Sequence, residues 1–208
     1  IVGEKMHNHP GIAGKLFGTL GRNGINVIAF AQGAKETNIS FVVPAQQLSK
    51  TMNLLHNSFF LNENKVLNIF ICGIGTVGSQ LIEQISSQYA TLITNQHLQL
   101  NIVGIANSRT YIFNAEGLDI TNYREQLLAA ETKNLSDIVH QLATLHNSIF
   151  VDCTASEDIA NIYQMLLENN ISVVTANKIA ASAEYKKYEL LKKTALEHDV
   201  KFLFETNV

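Results

Sequence analysis

The chain has 208 residues, a formal net charge of −3 and a pI near 6.2, so it carries no basic footprint for nucleic acid. Apolar residues make up 46 % and charged residues only 16 %, which argues against a disordered chain and leaves room for one large domain or two small ones. No apolar run reaches the ~18 residues of a membrane span, and neither a membrane partner nor a secretory leader is expected.

Ile1-Val2-Gly3 reads as part of a strand with more chain upstream. After Pro10-Gly11, the residues Ile12, Ala13, Leu16, Phe17 and Leu20 recur at helical steps, and Gly24 marks the stop. Ile25 to Phe30 is a short β-branched run, expected as a buried strand. Asn38 to Val43 is a second strand ended by Pro44, and Leu48, Met52 and Leu55 lie four and three apart on a second helix. This order is that of a small α+β sandwich of the βαββαβ type, assigned to residues 1–62. So small a unit buries little apolar surface alone. Asn26 and Gln32 interrupt or end apolar runs. They are candidates for effector binding, although satisfaction by neighbouring backbone is the simpler expectation.

Residues 63–208 change character. Leu67 to Cys72 is a strand that runs into Gly73-Ile74-Gly75-Thr76-Val77-Gly78, and Val77, Leu81, Ile82 and Ile85 follow at helical spacing. Gly-x-Gly-x-x-Gly between strand and helix is a dinucleotide fingerprint. The first glycine makes the turn, the second admits the pyrophosphate and the third lets helix and strand pack. Leu100 to Ala106 is the next strand, ending at Asn107-Ser108-Arg109. An acid here would hold ribose hydroxyls and favour NAD; Arg109 can pair instead with the 2′-phosphate of NADP. The distance from Gly73 exceeds the usual ~20 residues, so an insertion is expected between helix and strand.

Ser148 to Asp152 is a further strand, followed by Cys153-Thr154-Ala155-Ser156-Glu157, in which Thr154 and Glu157 have capping-box spacing. Ile159, Tyr163, Leu166 and Leu167 share a helix face. Ile171 to Val174 is a strand that ends at Thr175-Ala176-Asn177-Lys178, a helix covers roughly 183–197, and a last strand starts near Lys201. Such alternation predicts an α/β, doubly wound, mostly parallel Rossmann-type sheet. Ligands of these sheets sit beyond the carboxyl ends of the strands, where the polar loops converge. Cys72 and Cys153 lie in apolar runs and read as buried thiols of a reducing, cytoplasmic compartment. Neither they nor the seven histidines have metal-ligand spacing.

These segments, taken together, resemble the homoserine dehydrogenase family, most of all the bacterial enzymes that carry an aspartate kinase in the same chain. The likeness is collinear: Phe70 to Gly78, Gly104 to Ser108, Val151 to Ser156, Val173 to Lys178 and Phe204 to Val208. Ala31 to Glu36, with Ile39-Ser40, is similar to the second ACT-type effector module of those enzymes. Ala155 stands where a second hydroxyl residue is usual, Ala176 where a proline is, and Ile179 where a second lysine is.

The resemblance implies reversible hydride transfer between a nicotinamide cofactor and L-aspartate 4-semialdehyde, giving L-homoserine. It implies feedback by threonine, a homo-oligomer, and a kinase domain before Ile1. The substrate-binding acids and a second active-site lysine would lie past Val208, which would leave residues 1–208 alone inactive. The cofactor residues are Gly73 to Gly78, Asn107 to Arg109, Thr154, Ala155, Ser156 and Lys178. The resemblance also implies that Lys178 is catalytic and that Glu205 is a ligand for a monovalent cation. A ligand sensor without catalysis, another semialdehyde or amino-acid dehydrogenase sharing this half, and a degenerate remnant stay open at this point, because function sits in the site and not the fold.

Overall fold

The computed structural model describes the chain except residues 4, 5, 7, 8, 34–36, 57, 60–64, 131, 133 and 206–208. The Ala34-Lys35-Glu36 part of the ACT-like segment, His7, and Thr206-Asn207-Val208 therefore lie outside the described residues. Two compact units divide the chain, Ile1–Asn62 and Glu63–Val208.

In the first unit, helix α1 spans Ile12–Arg22. Its expected apolar stripe turns inward, with Leu16 and Leu20 fully buried beside Ile25, Ile39, Leu54 and Leu55. Gly11 and Gly24 flank it at φ 92° and 67°, conformations that cost other residues dearly. Strand β1 (Ala29–Gln32) pairs antiparallel with β2 (Ile39–Val42). The first residues join by an antiparallel bridge between Val2 and Asn38, with Ile39 N–H donating to the Ile1 carbonyl at 2.9 Å. Helix α2 is Leu48–His56.

Three expectations change here. The strand starts at Ala29 rather than Ile25, and all four of its residues are exposed. Asn26 precedes the strand, and both Asn26 and Gln32 are exposed rather than buried. On α2 the inward face is Thr51, Leu54 and Leu55, while Leu48 and Met52 are 54 % and 62 % exposed. Spacing identified the helix but not the side it buries, because several apolar positions compete for one narrow stripe.

The second unit is a six-stranded sheet in the order β5-β4-β3-β6-β7-β8. Its strands are β3 (Lys65–Cys72), β4 (Leu98–Ala106), β5 (Tyr111–Phe113), β6 (Ser148–Asp152), β7 (Ser172–Thr175) and β8 (Phe202–Phe204). Every pairing is parallel except β4 with β5. Helix α3 (Thr76–Gln96) packs on one face with α4 (Tyr123–Leu128), over Ile69, Ile71, Ile102 and Ile105. Helices α5 (Leu135–Ala143), α6 (Glu157–Asn161), α7 (Tyr163–Glu168) and α8 (Tyr185–Glu197) cover the other face, around Phe70, Val103, Phe150 and Val173. Parallel strands buried on both faces read as continuous apolar runs, which is why β3, β4 and β6 were visible in the sequence.

No insertion separates the glycine-loop helix from β4. The extra length lies in α3 itself, 21 residues long, with His97 alone (φ 50°) between the helix and Leu98. The α8 lysines behave as a mostly solvated face: Lys193 pairs with Glu197 at 3.7 Å, while Lys192 lies over the Tyr188, Phe202 and Phe204 rings.

Gly104 is opposite Phe70 in the β3–β4 ladder, and a Cβ there would sit 2.1 Å from the Phe70 ring. That ring is fully buried and stacked on Phe150 at 5.6 Å, so it has little room to yield. Gly104→Val is expected to destabilise the domain by about 1–3 kcal/mol through overpacking, read as a lowered urea midpoint.

Candidate active site

The chain runs from β3 to β4 on one side and then crosses to β6 on the other. This reversal opens a crevice at the carboxyl ends of the central strands, the usual ligand position in such sheets. The glycine loop crosses its floor. Gly73 adopts φ 96°, and a Cβ on it would meet Thr154 Cγ2 at 2.8 Å and the Cys153 carbonyl at 3.0 Å. A Cβ on Gly78 would lie 1.8 Å from the Gly73 carbonyl oxygen. Around Gly75 the equivalent position is open, with no atom within 4 Å. Gly75 is the N-cap of α3, and no side chain caps that end. Two glycines are thus required by the protein's own packing, and the middle one leaves a vacant approach to the positive end of a long helix. That cradle fits a pyrophosphate.

At the end of β4, Asn107 Oδ1 accepts the N–H groups of Arg109 and Thr110, both at 2.7 Å, and its Nδ2 donates to Thr110 Oγ1 at 3.0 Å. Asn107 therefore shapes its own turn, and Ser108 and Arg109 are the exposed groups at its tip.

The loops after β6 and β7 are joined by a buried polar hub that the sequence reading missed. Asp152, Tyr163, Thr175 and Asn177 are all at most 3 % exposed. Asp152 Oδ1 accepts Thr154 N–H at 2.7 Å, while Oδ2 accepts the Tyr163 hydroxyl at 2.5 Å and Asn177 Nδ2 at 3.1 Å. The Tyr163 hydroxyl also lies 2.8 Å from Thr175 Oγ1, and Thr175 Oγ1 accepts Asn177 N–H at 2.8 Å. Burial first, and then the Asp152 hydrogen bond, raise the Tyr163 phenol well above its ordinary range, so it serves as a fixed donor. Three donors on one carboxylate satisfy a charge that would otherwise be costly to bury. A signal existed: Asp152, Thr175 and Asn177 are polar residues ending apolar strands, and Tyr163 lies on an apolar helix face one turn along.

Thr154 caps no helix. Its Oγ1 accepts Ser156 N–H at 3.1 Å, and Ser156 is the N-cap residue of α6, so the capping box with Glu157 is not formed. Cys153 is half-buried rather than buried, and burial with the neighbouring Asp152 carboxylate pushes its thiol up to about 11. It stays protonated and unreactive near neutral pH.

A cavity of about 780 Å³ brings Thr76 and Val77 of α3 together with Cys153, Thr175, Ala176 and Glu205. Arg109 and Lys178 do not line it; both are exposed at strand ends, Lys178 directly after the hub residue Asn177. Glu205 is exposed, and its N–H donates to the Thr175 carbonyl at 3.1 Å. Among the described residues no group of three or more His, Cys, Asp or Glu could hold a metal ion, and no helix is long and apolar enough to cross a membrane.

The fold and its cradle define a dinucleotide-binding α/β domain preceded by a small α+β module. Residues 73–205 match the family profile of the homoserine dehydrogenase NAD-binding domain, and residues 1–59 that of an ACT domain. The chain belongs to the homoserine dehydrogenase family. Over its whole length it is 35 % identical to the bifunctional aspartokinase/homoserine dehydrogenases of Haemophilus influenzae and, in a chloroplastic form, of Zea mays. It covers 26 % and 23 % of those two proteins, about a quarter of the length of the curated relatives it matches. A hyperthermophilic archaeal homoserine dehydrogenase solved in complex with NADPH superposes with a TM-score of 0.53 and 27 % identity, over 68 % of this chain and 44 % of that one.

The glycine positions make opposite expectations. Gly75→Val should fold with near-native stability yet lose dinucleotide binding, because its side chain fills only the vacant approach. Gly78→Ala should lower the melting temperature, because its Cβ collides with backbone. Calorimetric titration with NADPH and thermal denaturation of both variants check the pair; unchanged affinity in folded Gly75→Val would remove the pyrophosphate from this loop.

Proposed function

We propose that the whole protein is an NAD(P)-dependent homoserine dehydrogenase, interconverting L-aspartate 4-semialdehyde and L-homoserine, in a homo-oligomeric, cytoplasmic chain that also carries aspartate kinase. The observation that carries this reading is the occurrence of the glycine cradle and Lys178 at the strand ends of one sheet, in a chain whose relatives include such bifunctional enzymes.

The residues divide the work. Gly73 to Gly78 take the pyrophosphate on backbone N–H groups, with Ile74, Thr76 and Val77 forming the walls. Ser108 and Arg109 take the adenosine ribose, and Thr154, Ala155 and Ser156 border the nicotinamide. The nicotinamide cofactor supplies or accepts the hydride when bound. Lys178 holds the substrate oxygen and exchanges a proton with it: its ammonium protonates the alkoxide that forms as the aldehyde carbon is reduced, and the amine recovers that proton in the reverse direction. Glu205 offers one carboxylate to a monovalent cation at the rim of the same cavity. In the ACT domain, the exposed amides of Asn26 and Gln32 are suited to the carboxylate and amine of an amino-acid effector, which we take to be threonine.

Lys178→Ala in the full-length protein is expected to lower turnover by about 10²–10⁴-fold, the usual range for a lost acid–base group. NADPH affinity should be largely retained. Normal turnover at saturating substrate would refute the role.

Arg109 is expected to favour NADP over NAD, because neither Asn107 nor Ser108 before it is an acid that would repel a 2′-phosphate, and its fork can pair with one. Its exposure keeps the gain modest, about 0–1 kcal/mol for a solvent-facing pair, and salt should erode it. The dissociation constants of NADPH and NADH in wild type and Arg109→Ala decide this. An identical ratio in both proteins would assign the preference elsewhere.

A further inference from the structure

We propose that Asn177 is a positioning residue of the reaction: its buried side chain clasps the loop after β6 to the loop after β7 and so sets the place of Lys178 relative to the cofactor-side loop. The proposal rests on the reading of Lys178 given above.

Asn177 is 3 % exposed, and both ends of its side-chain amide are engaged. Nδ2 donates to Asp152 Oδ2 at 3.1 Å and to the Ser156 carbonyl at 2.9 Å. Oδ1 accepts Ile179 N–H at 3.1 Å. The first two bonds reach residues that flank Thr154 and Ala155, and the third fixes the backbone immediately after Lys178. Asp152 completes the clasp from below, since its other oxygen holds Thr154 N–H. Lys178 is thus bracketed. Its carbonyl accepts the N–H and the hydroxyl of Ser182, at 2.9 and 2.8 Å, and the residues on both sides of it are tied down. An exposed, four-carbon side chain has many rotamers, so the part of its position that the protein can fix is the backbone from which it starts. A clasp confined to core stability would connect core elements; this one connects two crevice loops, one carrying the proton-exchanging group and the other facing the cofactor.

The test uses the full-length enzyme, with Asn177→Ala and Lys178→Ala made singly and together, and amide hydrogen exchange followed on peptides covering 153–156 and 177–180. Asn177→Ala is expected to lower turnover by up to about 100-fold, as small misplacements of reacting groups do. It should cause no further loss in the Lys178→Ala background, because an absent lysine cannot be misplaced. Exchange should accelerate in both loops together. Losses that multiply in the double variant overturn the positioning role while leaving the role of Lys178 standing. Normal turnover in Lys178→Ala alone overturns the reading of that lysine and with it the catalytic purpose of the clasp. The physical coupling is then judged on exchange, where acceleration confined to 177–180 overturns it. If Asn177→Ala does not fold, Asn177→Ser enters the same comparison, since its oxygen stays near the Ile179 amide but lacks the reach to Ser156 and Asp152.

Discussion

The contact between Gly78 and the Gly73 carbonyl is the tightest constraint around the crevice. It lets the first turn of α3 drop onto the end of β3, closer than any side chain would permit. The rest of the cradle follows from that approach. The helix axis, with its partial positive charge, is aimed over the crevice floor, and the loop after β6 packs against Gly73 so tightly that Cys153 and Thr154 define the far wall. Gly75 has a different status. A Cβ there would meet open space, so nothing in the packing of the fold demands glycine at that position, and the demand would come from the proposed pyrophosphate. One three-glycine motif thus contains two positions fixed by packing and one that packing leaves free.

On the opposite wall, a buried carboxylate is held by donors from three segments. Such an arrangement has little freedom to relax, because losing any donor leaves a poorly solvated charge. Rigidity at that point suits a crevice whose other groups, Arg109 and Lys178, are long and exposed. The domain combines an inflexible base with adjustable side chains at its rim.

Much of this was legible in the sequence where a single physical rule acts locally. The apolar runs of β3, β4 and β6 and the glycine loop were plain, since buried parallel strands and tight turns leave direct compositional traces. Residues 110–147 were not read. The edge strand Tyr111–Phe113 is only three residues long and antiparallel, and α4 and α5 are short and separated by turns. Thr154 and Glu157 had the spacing of a cap without its geometry, because Thr154 turns back to Ser156 N–H in its own loop. The hub escaped because the bonds that join its three segments span 11 to 25 residues and form only once β6, α7 and β7 have assembled. In the ACT domain, Asn26 and Gln32 stood out as polar residues among apolar ones, but an apolar run there does not imply burial: β1 is exposed along its whole length, Phe30 included at 64 %.

The sheet order also has a temporal side. Central strand β3 must pair with β6, and the register joins Asn68 to Ser148, 80 positions later in the chain. At typical synthesis rates those residues take about 4–16 s to appear. Throughout that interval a strongly apolar strand has at most β4 for a neighbour and at least one edge open. Parallel, non-local pairings are slow to form and expose such edges to aggregation. The emerging chain is therefore at its most vulnerable between the making of β4 and the making of β6, and that is the stretch in which a chaperone would find its substrate.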